Sequence, residues 1–141
     1  MKNLRVFIDS NIILTGTFFS GPESMVLSSN FKLLTSDVCK EEVLEVVKRK
    51  FRKFGFGTEK LAVEELLKSF ADIEILKAND YMHKLDISKK LLKGKNDQKI
   101  LAAVLHSKPD YFVTGDSDFK TNEISKLAKV VSSRELLENV Y

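Results

Sequence analysis

The sequence predicts an α/β fold of three layers, in which helices cover both faces of a largely parallel central sheet. Short apolar segments of strand length alternate along the chain with longer segments of helical periodicity. Because connections between neighbouring parallel strands form right-handed crossovers, this alternation favours a parallel sheet. The 141 residues are 43% hydrophobic, which suits a single domain over residues 1–141 with a continuous core.

Each predicted strand is a short apolar run bounded by polar or turn-forming residues. In chain order, the strands are Leu4–Ile8, Phe31–Leu34, Ile73–Leu76, Tyr111–Val113 and Val130–Val131. Asp9 and a predicted loop follow the first strand directly. In open α/β sheets, chemistry gathers at the carboxyl ends of the strands, so we expect a functional site at that edge.

Helices are predicted from apolar spacing and from capping residues. The longest, Asp37–Phe54, begins after Ser36, whose hydroxyl suits an N-cap, and Gly55 ends it. Ser132 and Glu135 form a capping box that opens the final helix. The other predicted helices are Glu23–Ser28, a helix capped by Thr58 that runs to Ala71, Asn79–Leu92, Asp97–Ser107 and Ile124–Leu127.

Composition excludes several classes of protein. One cysteine, Cys39, and two histidines, His83 and His106, leave no internal disulfide and no zinc cluster, so any metal must be held by oxygen. We assign both histidines structural or surface roles. The chain contains no apolar stretch of membrane-spanning length and no signal-peptide pattern. We therefore expect a cytoplasmic protein without a membrane partner.

Charge is informative through its distribution. The net charge is only +3, but five of the six residues from Lys48 to Lys53 are basic. A solvated helix face is the commoner explanation for a single run of this kind. Basic residues alone therefore do not decide the function.

Aspartates follow two of the predicted strands. Asp9 comes directly after the first strand, and Asp116 and Asp118 come after the fourth. An aspartate at a strand end commonly closes an Asx turn, which explains each position taken alone. Two such positions at one edge of a small sheet favour a functional arrangement instead.

Two further acids lie on predicted helices. Glu42 stands between Val38 and Val46 on its helix, so we expect it to lean on the protein body; a boundary residue that reaches solvent is the alternative. Asp97 opens its helix, where capping is the ordinary explanation and the helix dipole favours an ionised carboxylate. An ionised Asp97 also suits a metal ligand.

Convergence of Asp9, Glu42, Asp97 and Asp116 would create strong repulsion. At about 4 Å and an effective dielectric near 20, each pair of carboxylates repels by about 4 kcal/mol. Either some of the acids take up protons or a divalent cation binds between them. Oxygen ligands select the hard ions Mg²⁺ or Mn²⁺, and such a site beside basic residues suits phosphodiester hydrolysis.

Four segments carry a family resemblance through their order and spacing. They are FIDSNI at Phe7–Ile12, Ser36 followed six residues later by Glu42 and then Val43, KNDQKILAA at Lys95–Ala103 and VTGDSDF at Val113–Phe119. Over its whole length the chain resembles the PIN domain, a small Mg²⁺- or Mn²⁺-dependent ribonuclease fold related to the Rossmann-like α/β folds. Phe119 stands where many members carry leucine, a difference that we expect to affect packing only.

The resemblance implies roles for the matching residues. The metal-binding and catalytic acids would be Asp9, Glu42, Asp97 and Asp116, with Asp118 as an additional ligand or water-positioning group. Ser10 and Thr114 would hydrogen-bond the metal-binding acids, and Asn11 would steady the site. Small stand-alone PIN proteins resemble VapC-type toxins, which implies an antitoxin partner and a homodimer.

RNA is the substrate that this hypothesis implies, with in-line attack of an activated water on a backbone phosphodiester. Contacts to the RNA backbone, made without reading its sequence, would come from Lys48, Arg49, Lys50, Arg52, Lys53, Lys93 and Lys95.

Three other functions share features with this sequence. Phosphatases of the haloacid dehalogenase type need a second acid two residues after the first, and the segment Asp9–Asn11 lacks it. A calcium loop beginning at Asp116 fails because Lys120 and Thr121 replace an oxygen ligand and the glycine. A catalytically silent PIN-like module that binds RNA or a partner protein is the serious alternative.

Overall fold

The structure, a computed structural model, describes residues 3–141 and contains a five-stranded sheet in the order β3-β2-β1-β4-β5. Every neighbouring pair of strands is parallel, which confirms the prediction of a parallel sheet. The strands are β1 (Arg5–Ile8), β2 (Lys32–Ser36), β3 (Ile73–Leu76), β4 (Tyr111–Val113) and β5 (Val130–Val131).

Helices connect the strands and cover both faces of the sheet. Single 3₁₀ turns lie at Met82–Lys84 and Ser117–Phe119. The α-helices are α1 (Ser10–Phe18), α2 (Pro22–Leu27), α3 (Asp37–Arg52), α4 (Phe56–Phe70), α5 (Ala78–Tyr81), α6 (Leu85–Leu91), α7 (Lys95–Ser107), α8 (Asn122–Ser125) and α9 (Ser133–Val140). None of these helices is long and apolar enough to cross a membrane.

The central strand β1 divides the core into two apolar clusters. Val6 and Ile8 point to the face covered by α1, α3 and α4, while Phe7 points to the opposite face beneath α7. On that second face, the rings of Phe7 and Phe112 meet edge to face with centroids 5.6 Å apart. Because successive residues of β1 are buried on opposite sides, the architecture is the predicted three-layer α/β/α arrangement.

Helix α1 replaces the loop that we expected after Asp9. Its buried residues Ile12 and Ile13 pack into the core, and Asp9 caps it by accepting a hydrogen bond from the Ser10 amide at 2.8 Å. A Cβ on Gly16 would lie 2.8 Å from a backbone oxygen of α2, so glycine permits the close approach of the two helices. The helix was missed because its residues are apolar on most sides and show no helical periodicity.

Other differences concern helix ends. Helix α3 ends at Arg52, and α4 begins at Phe56 rather than after Thr58. The break falls at Gly55, whose φ of 103° favours glycine. The segment predicted as one helix over Asn79–Leu92 is divided into α5, a 3₁₀ turn and α6.

Candidate metal centre

Two adjacent strands bring the first acids together. Strands β1 and β4 run in parallel register, with Ile8 opposite Val113, so they end side by side at one edge of the sheet. Asp9 follows β1 and caps α1, while Asp116 follows β4 and caps the next 3₁₀ turn by accepting from the Asp118 amide at 2.9 Å. The local caps therefore fix both backbones where the strands end.

Asp9 is a buried carboxylate, only 5% exposed. One of its oxygens accepts from the Ser10 amide at 2.8 Å, and the other accepts from the Thr114 hydroxyl at 2.6 Å. Burial raises the pKa of Asp9, the two hydrogen bonds oppose that rise, and the charges of Glu42 and Asp116 add to it. Two neutral donors thus hold this carboxylate in place, while burial and the nearby charges favour its protonated form when no cation is bound.

Thr114 connects the two strand ends. Its hydroxyl donates to Asp9 and also accepts from the Asp116 amide at 3.0 Å. The residue is fully buried, and its bond to Asp9 is sheltered from water. A single hydroxyl therefore sets the position of Asp9 relative to the loop that carries Asp116.

Glu42 approaches the cluster from α3. The Ser10 hydroxyl donates to one of its carboxylate oxygens at 2.8 Å, and the Asn96 amide lies 3.4 Å from the other. Glu42 is half-buried, so it neither packs fully against the protein body nor extends freely into solvent, the two alternatives that the sequence left open. Asn96 was not among the predicted supporting residues, although it stands inside the KNDQKILAA segment.

The remaining three acids form a compact group. Each of Asp97, Asp116 and Asp118 offers a carboxylate oxygen, and these oxygens lie within 4.8 Å of one another. Burial, followed by the charges of Asp116, Asp9, Asp118 and Glu42, raises the pKa of Asp97 to about 6. Asp9 and Glu42 lie outside this compact group, but their charges act on the pKa of Asp97.

Asp97 does not cap its helix, contrary to the ordinary explanation offered by the sequence. Gly94 occupies the N-cap position of α7, and Asp97 is the third helical residue. The expected stabilisation of its ionised form by the helix dipole is outweighed, since the pKa is raised rather than lowered. The neighbouring acids, distant in sequence, determine its charge.

Basic side chains do not compensate this charge. In residues 3–141 the three ion pairs, Lys32–Glu74, Arg52–Glu59 and Lys68–Glu65, lie outside the acidic cluster. An oxygen-only donor set without a positive partner fits a hard divalent cation such as Mg²⁺ or Mn²⁺. The residues present therefore suit the metal that the resemblance implies.

Asn11 is exposed beside the centre. Among residues 3–141 its side chain has no hydrogen-bonding partner, and it lines both a small pocket next to Thr114 and a larger groove next to Phe18. The steadying role expected of Asn11 therefore stays a prediction. Asn11 lies between the small pocket at Thr114 and the larger groove at Phe18.

The predicted basic residues form two exposed groups. Lys93 and Lys95 flank Gly94, and Lys93 lines a cavity of about 210 Å³ together with Asp97 and Asp118. The second group occupies the carboxyl-terminal part of α3 and its end, and consists of Lys48, Arg49, Lys50, Arg52 and Lys53, all exposed. Arg52 also lies 3.7 Å from Glu59.

The two histidines lie elsewhere. Their rings contact each other edge to face with centroids 5.0 Å apart, and both are exposed. His106 follows Asp97 by nine residues on α7, roughly 14 Å along the helix axis. This position agrees with the surface role assigned to His83 and His106.

Comparison with known proteins identifies the family. A family model described as PIN domain matches residues 5–118. The chain belongs to the PIN domain family. Members of this family are in general nucleases, and the resemblance seen in the motifs is thereby confirmed. No curated protein matches the chain significantly.

Solved structures show the same fold at low sequence identity. One is the structure of VapBC2 from Rickettsia felis bound to a promoter DNA fragment. It has a TM-score of 0.66 and 18% identity, and the match covers 92% of this chain and 98% of that chain. FitAcB from Neisseria gonorrhoeae has a TM-score of 0.69 and 14% identity, and the match covers 92% of this chain and 98% of that chain. A toxin–antitoxin complex from Klebsiella pneumoniae has a TM-score of 0.64 and 17% identity, and the match covers 91% of this chain and 97% of that chain.

Proposed function

We propose that this PIN domain is a ribonuclease that hydrolyses phosphodiester bonds of RNA with Mg²⁺ or Mn²⁺ as cofactor. One observation carries the proposal: the oxygens of Asp97, Asp116 and Asp118 lie within 4.8 Å of one another, and none of the ion pairs formed within residues 3–141 involves them. Asp9 and Glu42 are coupled electrostatically to this group. The five acids would hold the cation, which supplies Lewis-acid activation of water and of the phosphodiester when bound.

The chain's own residues prepare this centre. Thr114 and the Ser10 amide fix both oxygens of Asp9, and the Ser10 hydroxyl fixes Glu42. Because these partners are neutral donors, they orient the carboxylates and leave the negative charge available to a cation. Preorganised oxygens of this kind lose little freedom when a metal binds.

Substrate attraction would come from the exposed basic groups around the centre. Lys93 and Lys95 lie next to Asp97, and the α3 group continues away from Glu42. Contacts from these side chains to phosphates would strengthen binding without reading sequence, so affinity should fall as salt rises.

Cleavage of labelled RNA with and without EDTA tests the proposal. Wild-type protein should cleave in Mg²⁺ or Mn²⁺ and lose activity in EDTA, and Asp116→Asn should be inactive. Asp72→Asn is the matched control, because Asp72 is exposed and precedes β3 at the opposite edge of the sheet. Equal cleavage by Asp116→Asn and wild type would contradict the proposal. Metal-independent RNA binding without cleavage would favour the catalytically silent module.

We further propose that the protein is the toxin of a toxin–antitoxin pair and forms a homodimer. The support is the fold shared with VapBC2 and with the Klebsiella toxin–antitoxin complex. Expression should arrest growth in the wild-type form and not as Asp116→Asn, and co-expression of a protein encoded beside it should relieve the arrest. A sedimentation mass of 16.0 kDa, that of one chain, would contradict the homodimer.

A further inference from the structure

A groove rich in phenylalanine lies between α1 and the end of α3. We call it the aromatic groove and define it by Phe18, Phe19, Phe51 and Phe54, with Lys50 and Lys53 on its rim. Its volume is about 600 Å³. The nuclease centre described above makes no use of these four rings.

Two of the rings form a fixed floor. Phe18 and Phe51 are half-buried against the core, and their ring centroids are 5.3 Å apart. Phe54 continues the row, with its centroid 6.4 Å from that of Phe51. Packing of this kind restrains the rings of Phe18 and Phe51 at the base of the groove.

The other two rings face solvent. Phe19 is 68% exposed and Phe54 is 64% exposed, so neither gains much stability from burial. The ammonium of Lys53 lies 5.4 Å from the centroid of Phe54, and Lys50 lines the same groove. Exposed aromatic faces beside ammonium groups are the combination that binds stacked bases and their phosphates.

Charge and position favour nucleic acid as the occupant. Acidic side chains are absent from the described lining of the aromatic groove, and Lys48, Arg49 and Arg52 lie close by on α3. Asn11, two residues after Asp9, lines both this groove and the small pocket beside Thr114. The groove therefore reaches a residue two positions from Asp9, and an RNA strand that extends from the acidic centre past Asn11 would enter it.

We propose that the aromatic groove binds unpaired bases of single-stranded RNA next to the cleaved bond. Phe19 and Phe54 stack on the bases, and Lys50 and Lys53 bind the neighbouring phosphates. The inference rests on the proposed nuclease function and narrows its substrate. Since paired bases are stacked inside a duplex and cannot reach the rings, the preferred substrate is single-stranded RNA.

Binding of a labelled RNA of about 12 nucleotides, single-stranded or annealed to its complement, tests this inference. The protein is the full chain carrying Asp116→Asn, in Mg²⁺, so that the RNA remains intact. Phe19→Leu and Phe54→Leu remove the ring but keep an apolar side chain, and each should weaken single-strand binding about 5- to 100-fold. Phe19→Tyr and Phe54→Tyr should bind as the parent does.

A matched control separates stacking from general loss of an aromatic residue. Phe56 is 81% exposed on α4 and does not line the aromatic groove, so Phe56→Leu should leave binding unchanged. Unfolding midpoints of all variants should agree, because the replaced rings are exposed. In otherwise wild-type protein, the leucine variants should raise KM for single-stranded RNA more than they lower kcat.

The outcomes distinguish the two proposals. Cleavage by wild type combined with unchanged single-strand binding in both leucine variants would overturn the groove and leave the nuclease standing; the groove would then suit a protein partner. If the leucine variants lost affinity equally for single-stranded and duplex RNA, the proposed role of the groove would also be overturned. Ring-dependent binding without any cleavage would keep the groove and refute the nuclease.

Discussion

Replacing Asp97 with asparagine should stabilise the metal-free protein at neutral pH. Burial and four neighbouring carboxylates raise the pKa of Asp97 from 3.8 to about 6. An unfolded chain restores the lower value, so between these two pKa values the folded state holds more protons than the unfolded state. Stability therefore falls as the pH rises through this window, and the loss is complete above pH of about 6.

The magnitude follows from the size of this pKa shift. A shift from 3.8 to about 6 corresponds to about 3 kcal/mol at ~1.36 kcal/mol per pKa unit, before screening. Because water reaches much of the Asp97 side chain, screening reduces this to roughly 1–2 kcal/mol. The helix dipole favours a negative charge in the first turn of α7, and the substitution removes that charge. This loss reduces the gain in stability by about 0.3–1 kcal/mol. The expected rise in Tm is a few degrees, at roughly 3 °C per kcal/mol.

Thermal and urea unfolding in EDTA measure the effect, at neutral pH and near pH 3.8, where Asp97 is protonated in the folded protein. The stabilisation should appear at neutral pH and vanish at the acidic pH, and Asp72→Asn should show neither change. In saturating Mn²⁺ the wild type should instead be more stable than Asp97→Asn. A metal concentration of about 100 times the Kd stabilises the wild type by about 2.7 kcal/mol. Destabilisation by Asp97→Asn at neutral pH in EDTA would refute the repulsion argument.

Three further predictions follow from buried contacts. Thr114→Val removes the hydroxyl that holds Asp9, and Mn²⁺ affinity by calorimetry should fall about 10- to 100-fold; unchanged affinity would contradict its positioning role. Gly16→Ala should cost about 1–3 kcal/mol in urea unfolding because its Cβ meets the backbone of α2, whereas Gly57→Ala, in open space on α4, should be neutral or stabilising. Cys39 is fully buried and its pKa is raised to about 12, so a thiol reagent at neutral pH should label it only after unfolding; rapid labelling of native protein would contradict this burial.

The sheet was predictable because parallel strands buried on both faces are nearly continuous apolar runs. The segments around Phe7, Leu34 and Phe112 show this pattern, and their order along the chain implies crossovers. The caps at Ser36 and Ser132 were also correct, since each hydroxyl accepts from an amide three residues later. These features are local, so the local sequence contains them.

Features that depend on contacts distant in sequence were not predictable. The bond from Asn96 to Glu42 joins residues 54 positions apart. The raised pKa of Asp97 results from burial and from acids on other elements, whereas its own helix alone would lower it. Helix α1, whose residues show no helical periodicity, also contains Gly16; this glycine weakens a helix locally but permits close packing against α2.

Helix α3 connects the two proposed parts of the site. Glu42 lies in its amino-terminal half at the acidic centre, and Lys50, eight residues later, lies roughly 12 Å along the axis on the rim of the aromatic groove. Acids in one half would repel an RNA phosphate unless a cation intervened, while bases in the other half attract the RNA without one. Substrate capture by the groove should therefore tolerate EDTA better than cleavage does, because only cleavage requires the acids to be neutralised by metal.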